Sequence, residues 1–315
     1  MRLLFLALLF PLAALAQDAY PSKPVRMILP FPPGGGTDIL GRLIADKLSA
    51  ALGQPVVAEN RGGAGGNVGA EAAAHSAPDG YTLVLVAPSL AISPTLYSKL
   101  NYDPVKDLTP ISLVAVAPNV IVTQPSMPPT LREFIALVKE KPGAFNYGSS
   151  GNGTILHLAV ELYLEAAGIK VKHIPYKGVG PMVTDALGGQ VDFVAAALPS
   201  IQGHIASGKL RPIGLFPAQR TPAAPSIPTF AEQGLANFDV EAWFGVIGPK
   251  GMSPAVVKKV HDAVAAAFND PAVKEAMAKQ GNTIRITTTE QAQAAFRVEQ
   301  AKYAALVKKV GLEPQ

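Results

Sequence analysis

The sequence predicts an α/β fold with two lobes, and two observations support this. Short apolar stretches alternate with longer stretches of helical periodicity, the order expected of β-α-β units around a largely parallel sheet. In addition, a glycine-rich segment joins a strand to a helix twice, at residues 31–38 and at residues 147–154. Because the amide groups at a helix start are unpaired, each segment directs N–H donors toward one place outside its sheet. We therefore expect two lobes, each a mostly parallel sheet flanked by helices, that face a shared cleft.

The first lobe begins with the buried apolar strand Val25–Leu29, followed by a helix over residues 38–52 in which apolar side chains recur at helical spacing. Gly53 is a typical helix stop, and a second strand starts at Pro55. The remaining elements predicted here are a glycine-rich loop at residues 61–67, a helix at 68–76, a turn at 78–80 and a strand at 81–86.

The chain is predicted to change lobes within a β-rich run at residues 111–123. Pro118 interrupts this run and argues against one uninterrupted central strand. We interpret it as a strand that leaves lobe one and enters lobe two, and residues 243–247 as the returning strand. Lobe one then covers residues 17–116 and 241–315, and lobe two covers residues 117–240. Lobe two is predicted to contain helices near 130–140, 155–167, 179–187 and 200–206 and strands at 145–147, 171–174, 191–195 and 210–216, and helices near 254–268, 271–280 and 289–310 follow the return.

The first 16 residues are predicted to be a signal peptide. Arg2 supplies one positive charge before an apolar run, and Ala14-Leu15-Ala16 has the small-residue pattern of a cleavage site. The run is short for a membrane span, and no later segment is apolar enough to be one. A buried N-terminal helix is the alternative. We expect export to the periplasm, with cleavage after Ala16.

Composition excludes several classes of function. The chain of 315 residues has no cysteine, which removes disulfides, thiolate metal sites, a cysteine nucleophile and a lipid-anchoring cysteine. Its net charge of +4 is modest, and no basic patch is interleaved with aromatic residues, so nucleic acid is not expected as a partner. The length suits two domains, and we expect a soluble monomer whose ligand is a small acidic molecule.

The loop at residues 31–38 has the chemistry of an anion-binding helix start. Two prolines stiffen the exit from the strand, and three glycines permit a positive φ and a close backbone approach. Thr37 is a suitable N-cap residue, and Asp38 suits the positive end of the helix dipole. A tight turn that binds nothing is the alternative for this loop taken alone.

The second loop supports the binding interpretation. Ser149, Ser150, Asn152 and Thr154 surround three glycines directly before a helix, and His157 lies where it can face the same opening. Hydroxyl, amide and imidazole groups are donors for a carboxylate, although a plain surface histidine is an equal alternative. The pair of His157 and Glu161 has i,i+4 spacing suited to a metal, but no further ligand cluster accompanies it, so no metal is expected.

Enzyme interpretations fit the motifs poorly. The segment from Gly34 to Ile39 lacks the last glycine of the dinucleotide fingerprint, and the P-loop ending is absent. The segment from Gly148 to Asn152 misses the nucleophile elbow of serine hydrolases at its last residue. We therefore expect no catalytic residue and no cofactor.

Several longer motifs together resemble one family, the solute receptors of tripartite tricarboxylate transporters, often called Bug proteins. The resemblance covers nearly the whole chain after residue 16 and rests on a combination of motifs that is highly specific. The matching stretches are residues 30–38, 53–57, 59–67, 77–82, 175–178, 187–192, 199–200 and 208–211.

This resemblance implies a two-lobed periplasmic binding protein of the type II, Venus flytrap kind, which holds the carboxylate of a small organic acid in its cleft. It also implies membrane permease subunits as partners. Alanines at residues 195–197 replace an acidic or amide residue found in many relatives, which favours a less polar dicarboxylate or an aromatic acid over an amino acid. An exported enzyme acting on an organic acid and a ligand-binding sensor are the alternatives. The ligand-binding positions implied are Phe31, Gly34, Gly35, Gly36, Thr37, Asp38, Ser89, Ser149, Gly153, Thr154, His157, Pro199 and Ser200.

Overall fold

The computed structural model describes residues 20–235 and 240–314, and the predicted signal peptide lies outside them. The described residues form eleven strands and ten α-helices. The strands are β1 (Val25–Leu29), β2 (Val56–Asn60), β3 (Thr82–Val86), β4 (Leu108–Ala117), β5 (Asn119–Thr123), β6 (Asn146–Ser149), β7 (Lys172–Pro175), β8 (Phe193–Ala197), β9 (Arg211–Leu215), β10 (Ala242–Pro249) and β11 (Thr283–Ile284). The helices are α1 (Gly36–Leu52), α2 (Asn67–Ala74), α3 (Ser89–Leu96), α4 (Leu131–Glu140), α5 (Ile155–Ala167), α6 (Val179–Leu187), α7 (Leu198–Ala206), α8 (Pro254–Asn269), α9 (Pro271–Lys279) and α10 (Thr289–Lys309).

These elements build two lobes, each around its own sheet. The sheet of lobe one has the order β11-β4-β10-β3-β1-β2, and that of lobe two has the order β7-β6-β8-β5-β9 among the described residues. Helices flank both sheets, so the predicted two-lobed α/β fold is confirmed. The exact domain boundaries at residues 116/117 and 240/241 stay a prediction.

Both sheets are mixed, which corrects the prediction of mostly parallel sheets. β1 pairs in parallel with β2 and β3, and β6 pairs in parallel with β7 and β8, as β-α-β units require. In contrast, β10 runs antiparallel to β3 and β4, and β5 runs antiparallel to β8 and β9. The reason is topological. Strands β3, β4 and β8 run toward the cleft, whereas β5 and β10 start at the cleft after a lobe crossing and run away from it.

The chain changes sheet at Pro118. β4 ends at Ala117 in the sheet of lobe one, and β5 begins at Asn119 in the sheet of lobe two. A proline is tolerated there because it stands between two ladders rather than inside one. The crossing places Asn119 at the junction of the lobes.

Apolar faces attach the helices to the sheets. Leu40, Ile44 and Leu48 lie on one face of α1 and are buried in the same core cluster as Met27 and Leu29 of β1. Such packing keeps the start of α1 in a fixed position relative to the carboxyl end of β1. Among the described helices, none combines the length and the hydropathy needed to cross a membrane.

One α-helix and one strand were not predicted. Helix α3 directly follows β3 and contains Pro94, which weakens its helical signal in the sequence. Strand β11 has two residues and pairs with Ala115 and Val116 near the carboxyl end of β4, so tertiary contact rather than local preference forms it. Of the two, α3 matters for the site because it starts at Ser89.

Candidate functional site

A cavity of about 50 Å³ lies between the lobes, at the carboxyl ends of β1, β3, β6 and β8. In open α/β sheets this is the place where ligands bind. Six of the positions predicted for ligand binding line the cavity. The lining residues are Phe31, Gly35, Gly36, Thr37, Ala87, Ser89, Asn119, Ser150, Thr154, Ile155, Leu156, Val179, Ala197, Ala242 and Phe244.

Five described helices start at this cavity. The first residues of α1, α3, α5 and α6, and the N-cap Ala197 of α7, all belong to the lining. Each start contributes unpaired N–H groups and a partial positive charge. No Lys, Arg, His, Asp or Glu is among the described residues of the lining. The positive potential in the cavity therefore comes from backbone dipoles, and its walls are mainly apolar.

The lobes touch each other around the cavity. A Cβ atom at Gly36 would lie 3.1 Å from the Ala197 Cβ, and one at Gly35 would lie 3.4 Å from the Val179 Cβ. Tyr97 in lobe one donates a hydrogen bond to the Asn152 carbonyl in lobe two at 3.2 Å. This is a closed arrangement, in which glycine is the only residue that leaves the present spacing undisturbed at residue 36.

The lobe-one loop is fixed from behind by Asp38. This carboxylate is 6% exposed and accepts from the Gly34 N–H at 3.1 Å, from Arg42 at 2.9 Å and from Asn60 at 2.9 Å. Asn60 also donates to the Phe31 carbonyl at 2.9 Å. Burial raises the pKa of Asp38, but the hydrogen bonds from Asn60, Arg42 and Gly34 outweigh it and hold the pKa below its ordinary value.

Asp38 and Gly34 are therefore placed behind the loop and do not line the cavity, although both were predicted to bind ligand. Gly34 has a φ of 92°, which lets its N–H turn back toward Asp38. The hydrogen bond between these two residues shapes the loop. The residues of the loop that line the cavity are Gly35, Gly36 and Thr37.

Thr37 is not the N-cap of α1, which corrects the sequence prediction. The helix begins two residues earlier than predicted, at Gly36, with Gly35 as N-cap and no side-chain cap hydrogen bond. The reason is that the glycines and the Asp38–Gly34 hydrogen bond close the first turn without a capping hydroxyl. Thr37 lies inside the first turn and lines the cavity.

The lobe-two loop is fixed by neutral groups. Thr154 is the N-cap of α5: its hydroxyl accepts from the His157 N–H and donates to the Gly151 carbonyl at 2.8 Å. Ser150 donates to the Thr154 hydroxyl at 3.1 Å. Both residues line the cavity, so one hydroxyl pair forms the helix cap and part of the cavity wall.

Two stacked histidines support this loop from behind. The rings of His157 and His173 lie 4.0 Å apart at an angle of 10°. His157 Nδ1 accepts from the Gly153 N–H at 3.3 Å, and His173 Nε2 lies 2.7 Å from the Ser149 hydroxyl, which accepts from the Gly151 N–H. Burial lowers the pKa of His157 to about 3, with a further contribution from His173, and burial lowers the pKa of His173 to about 4.

Three predicted positions therefore face away from the cavity and are buried without lining it: Ser149, Gly153 and His157. This overturns the surface-histidine alternative for His157, which is 5% exposed. The metal alternative gains no support either, because the described residues contain no cluster of three metal-ligating side chains. His157 Nε2 and Glu161 Oε1 are 3.9 Å apart.

Pro199 and Ser200 lie in the first turn of α7, but the cavity is lined by its N-cap, Ala197. The hydroxyl of Ser200 is buried and has no hydrogen-bond partner among the described residues. Neither residue lines the cavity, and Ala197 forms this part of its wall.

Sequence reasoning missed Asn119 as a lining residue. Its side chain is 1% exposed, and neither its amide nitrogen nor its amide oxygen has a partner among the described residues. The hydroxyl of Ser89, which is 3% exposed, is unpartnered in the same way. The only available signal was the position of Asn119 directly after Pro118, at the predicted lobe crossing.

A larger cavity of about 530 Å³ adjoins the first and shares Phe31 and Ser150 with it. Its wall includes the glycine-rich segment Gly62, Gly63, Ala64, Gly65 and Gly66, together with Tyr97, Tyr176 and the exposed Lys177. The outer cavity therefore offers room and one cation beside a small, neutral inner cavity.

The chain is similar to known solute receptors along most of its length. The family model described as "Tripartite tricarboxylate transporter family receptor" matches residues 40–312. Protein BugT of Bordetella pertussis is 39% identical over 302 residues, which cover 95% of this chain and 93% of that protein.

Solved structures agree with this. The periplasmic binding protein BugD is 34% identical, with a TM-score of 0.91 over 94% of this chain and 100% of that chain. R. palustris Rpa4515, solved with adipate, is 30% identical, with a TM-score of 0.91 over 94% of this chain and 100% of that chain. Both proteins match the two lobes described here in one alignment. The chain therefore belongs to the tripartite tricarboxylate transporter receptor family of solute-binding proteins.

Proposed function

We propose that this protein binds a small organic carboxylate between its lobes in the periplasm and delivers it to the membrane permease of a tripartite tricarboxylate-type transporter. The observation that carries the proposal is the convergence of five helix starts on one cavity without charged side chains. Such a site attracts an anion through backbone N–H groups and helix dipoles. The adipate held by the relative Rpa4515 supports a carboxylate as that anion.

The energies are consistent with this. One helix start stabilises an anion by about 0.3–1 kcal/mol, so five starts contribute a few kcal/mol. Micromolar binding needs about 8 kcal/mol, and charge-assisted hydrogen bonds of about 1.5–3 kcal/mol each supply the remainder. Residues from both lobes must then contribute donors, which links binding to closure: the empty protein opens, and the anion favours the closed form.

The ligand class follows from the walls. Ala87, Val179, Ala197, Ala242 and Phe244 make the inner cavity apolar around its donors. No acidic side chain in the described lining is present to pair with an ammonium group, so an amino acid is disfavoured. We propose a di- or tricarboxylic acid or an aromatic acid, with one carboxylate in the inner cavity and the rest of the molecule extending toward the outer cavity and Lys177.

A thermal-shift screen with mono-, di-, tri- and aromatic carboxylates, followed by calorimetry, tests the proposal. A ligand should raise the melting temperature in proportion to occupancy. The variant Gly35→Leu should abolish the shift, because its Cβ would already contact Val179 at 3.4 Å and the rest of the leucine side chain would add bulk between the lobes at the cavity wall. The control is Gly203→Leu, at a position on α7 where an added Cβ meets nothing within 4 Å. A panel without any binder, or equal binding by Gly35→Leu, contradicts the proposal.

Export and transport need their own tests. N-terminal sequencing of the protein from the periplasmic fraction should begin at Gln17, and uptake of the identified acid should fail when the protein is deleted. Normal uptake with a lost transcriptional response would instead identify a sensor. Conversion of the bound acid, followed by mass spectrometry, would identify an exported enzyme.

A further inference from the structure

The inner cavity contains polar atoms whose hydrogen-bonding capacity is unused. The Asn119 amide nitrogen, the Asn119 amide oxygen and the Ser89 hydroxyl are all buried without a partner among the described residues, and both residues line the cavity. Buried polar groups nearly always have a hydrogen-bond partner. Three atoms without one at the same cavity therefore indicate that a bound molecule supplies their hydrogen bonds. Thr123, four residues further along β5, is unpaired too but does not line the cavity.

The chemistry of these atoms restricts what can complete them. The Asn119 nitrogen and the Ser89 hydroxyl donate to an anion, but the Asn119 oxygen only accepts. A carboxylate alone can accept hydrogen bonds from both donors, but it offers no donor to the Asn119 amide oxygen. Completing the amide requires a group on the ligand that donates as well.

The size of the cavity places that group close to the carboxylate. About 50 Å³ is room for a few water-sized groups, so the carboxylate and the donor must sit on neighbouring carbons. An ammonium donor meets no carboxylate in the described lining and faces the positive ends of several helices. A hydroxyl both donates and accepts and carries no charge.

We infer that Asn119, with Ser89, is a specificity-determining residue that reads a hydroxyl at carbon 2 of the bound acid, so that a 2-hydroxycarboxylate is preferred over its unsubstituted and 2-amino counterparts. This inference rests on the proposed function and narrows its ligand class. The position of Asn119 suits this role. It is the first residue of β5, directly after the lobe crossing, and pairs with Ala197, which also lines the cavity.

The test compares three acids on one skeleton, namely 2-hydroxyadipate, adipate and 2-aminoadipate, by calorimetry. The 2-hydroxy acid should bind about tenfold or more tightly than adipate, since a site built to bond a hydroxyl discriminates against a ligand that lacks it. 2-Aminoadipate should bind most weakly. Equal affinities for the first two acids would overturn the inference and indicate that water completes Asn119. If none of the three binds, the panel of the preceding test shows whether the carboxylate function itself fails or only this skeleton does, in which case the best binder of the panel replaces adipate in the trio.

Two variants make the assignment specific. Asn119→Leu should weaken both acids through the lost donor to the carboxylate and remove the preference for the hydroxyl, so that the 2-hydroxy acid and the unsubstituted acid bind within about threefold of each other. Asn119→Asp should weaken the hydroxy acid and strengthen the amino acid about tenfold, because it supplies the missing partner for an ammonium group. A misfolded variant cannot produce such an exchange of preference. Thr123→Val, on the same strand and also unpartnered, is the control and should leave the order of the three acids unchanged. An unchanged order in both Asn119 variants would overturn the inference.

Discussion

The loops at residues 31–38 and 149–154 do the same geometric task with different chemistry. In lobe one a buried carboxylate, Asp38, holds the loop through Gly34, Arg42 and Asn60. In lobe two neutral hydroxyls and two uncharged histidines hold it. Asp38 already places a negative charge at the start of α1, whereas α5 has no acidic residue in its first turn. The partial positive charge at the start of α5 is therefore less neutralised than that at the start of α1. We expect the start of α5 to contribute more to the binding of an anion.

The largest effect should come from removing the charged support of lobe one. Asp38→Ala removes the acceptor of the Gly34 N–H and one of the two acceptors of Asn60 and of the half-exposed Arg42, and should lower the free energy of unfolding by about 3 kcal/mol. Chemical denaturation measures it. Asp46→Ala, at an exposed position of the same helix, is the control. A loss below about 1 kcal/mol would mean that the loop does not depend on this carboxylate.

The supports of the two loops should lose their contribution to stability in different ranges of pH. The folded pKa values of His157, about 3, and His173, about 4, lie below the unfolded value near 6.5, so the folded state favours the neutral rings. Their contribution is complete above pH 6.5 and is lost as the pH falls toward 4 for His173 and toward 3 for His157, at up to about 1.4 kcal/mol per pH unit for each ring. The pKa of Asp38 is also lowered, so its contribution is lost only below its ordinary value near 3.8.

Melting curves between pH 7 and pH 3 test this difference. His173→Gln should flatten the upper part of the profile, and Asp38→Asn should flatten the part below pH 4. The exposed His75, exchanged for Gln, is the control and should leave the profile unchanged. A wild-type profile that is flat from pH 6.5 to pH 4 contradicts the role given to the histidines.

Loss of the neutral cap should cost less stability but more binding. Thr154→Val removes the N-cap of α5 and should destabilise the protein by about 1 kcal/mol. Because Thr154 also lines the cavity, carboxylate affinity should fall about tenfold. Thr130→Val removes the equivalent cap of α4, away from the cavity, and should lower stability similarly without affecting affinity. Equal losses of carboxylate affinity in Thr154→Val and Thr130→Val would show that Thr154 does not contact the ligand directly.

The smallest effect on stability is expected at Thr37, which makes no cap hydrogen bond. Thr37→Val should change the free energy of unfolding by less than about 0.5 kcal/mol. Any change in carboxylate affinity then reports a direct contact of its hydroxyl in the cavity. A stability loss as large as that of Thr154→Val would show that the two loops are capped alike.

The sequence alone determined the two-lobed α/β fold, the glycine-rich loops and the family. These features depend on local spacing: apolar periodicity defines the helices and strands, and glycine next to a helix start defines a backbone donor site. Six predicted positions, from Phe31 to Thr154, line the cavity for that reason.

Only the tertiary structure decided which side of each loop a residue occupies. Asp38 and His157 have the right chemistry for a ligand, but their hydrogen bonds to Gly34 and Gly153 turn them away from the cavity. Asn119 has no local motif, and it lines the cavity because the lobe crossing brings β5 beside β8. The directions of β5 and β10 were likewise beyond sequence patterns. Contacts between residues far apart in the chain determine these features, and short-range spacing carries no information about them.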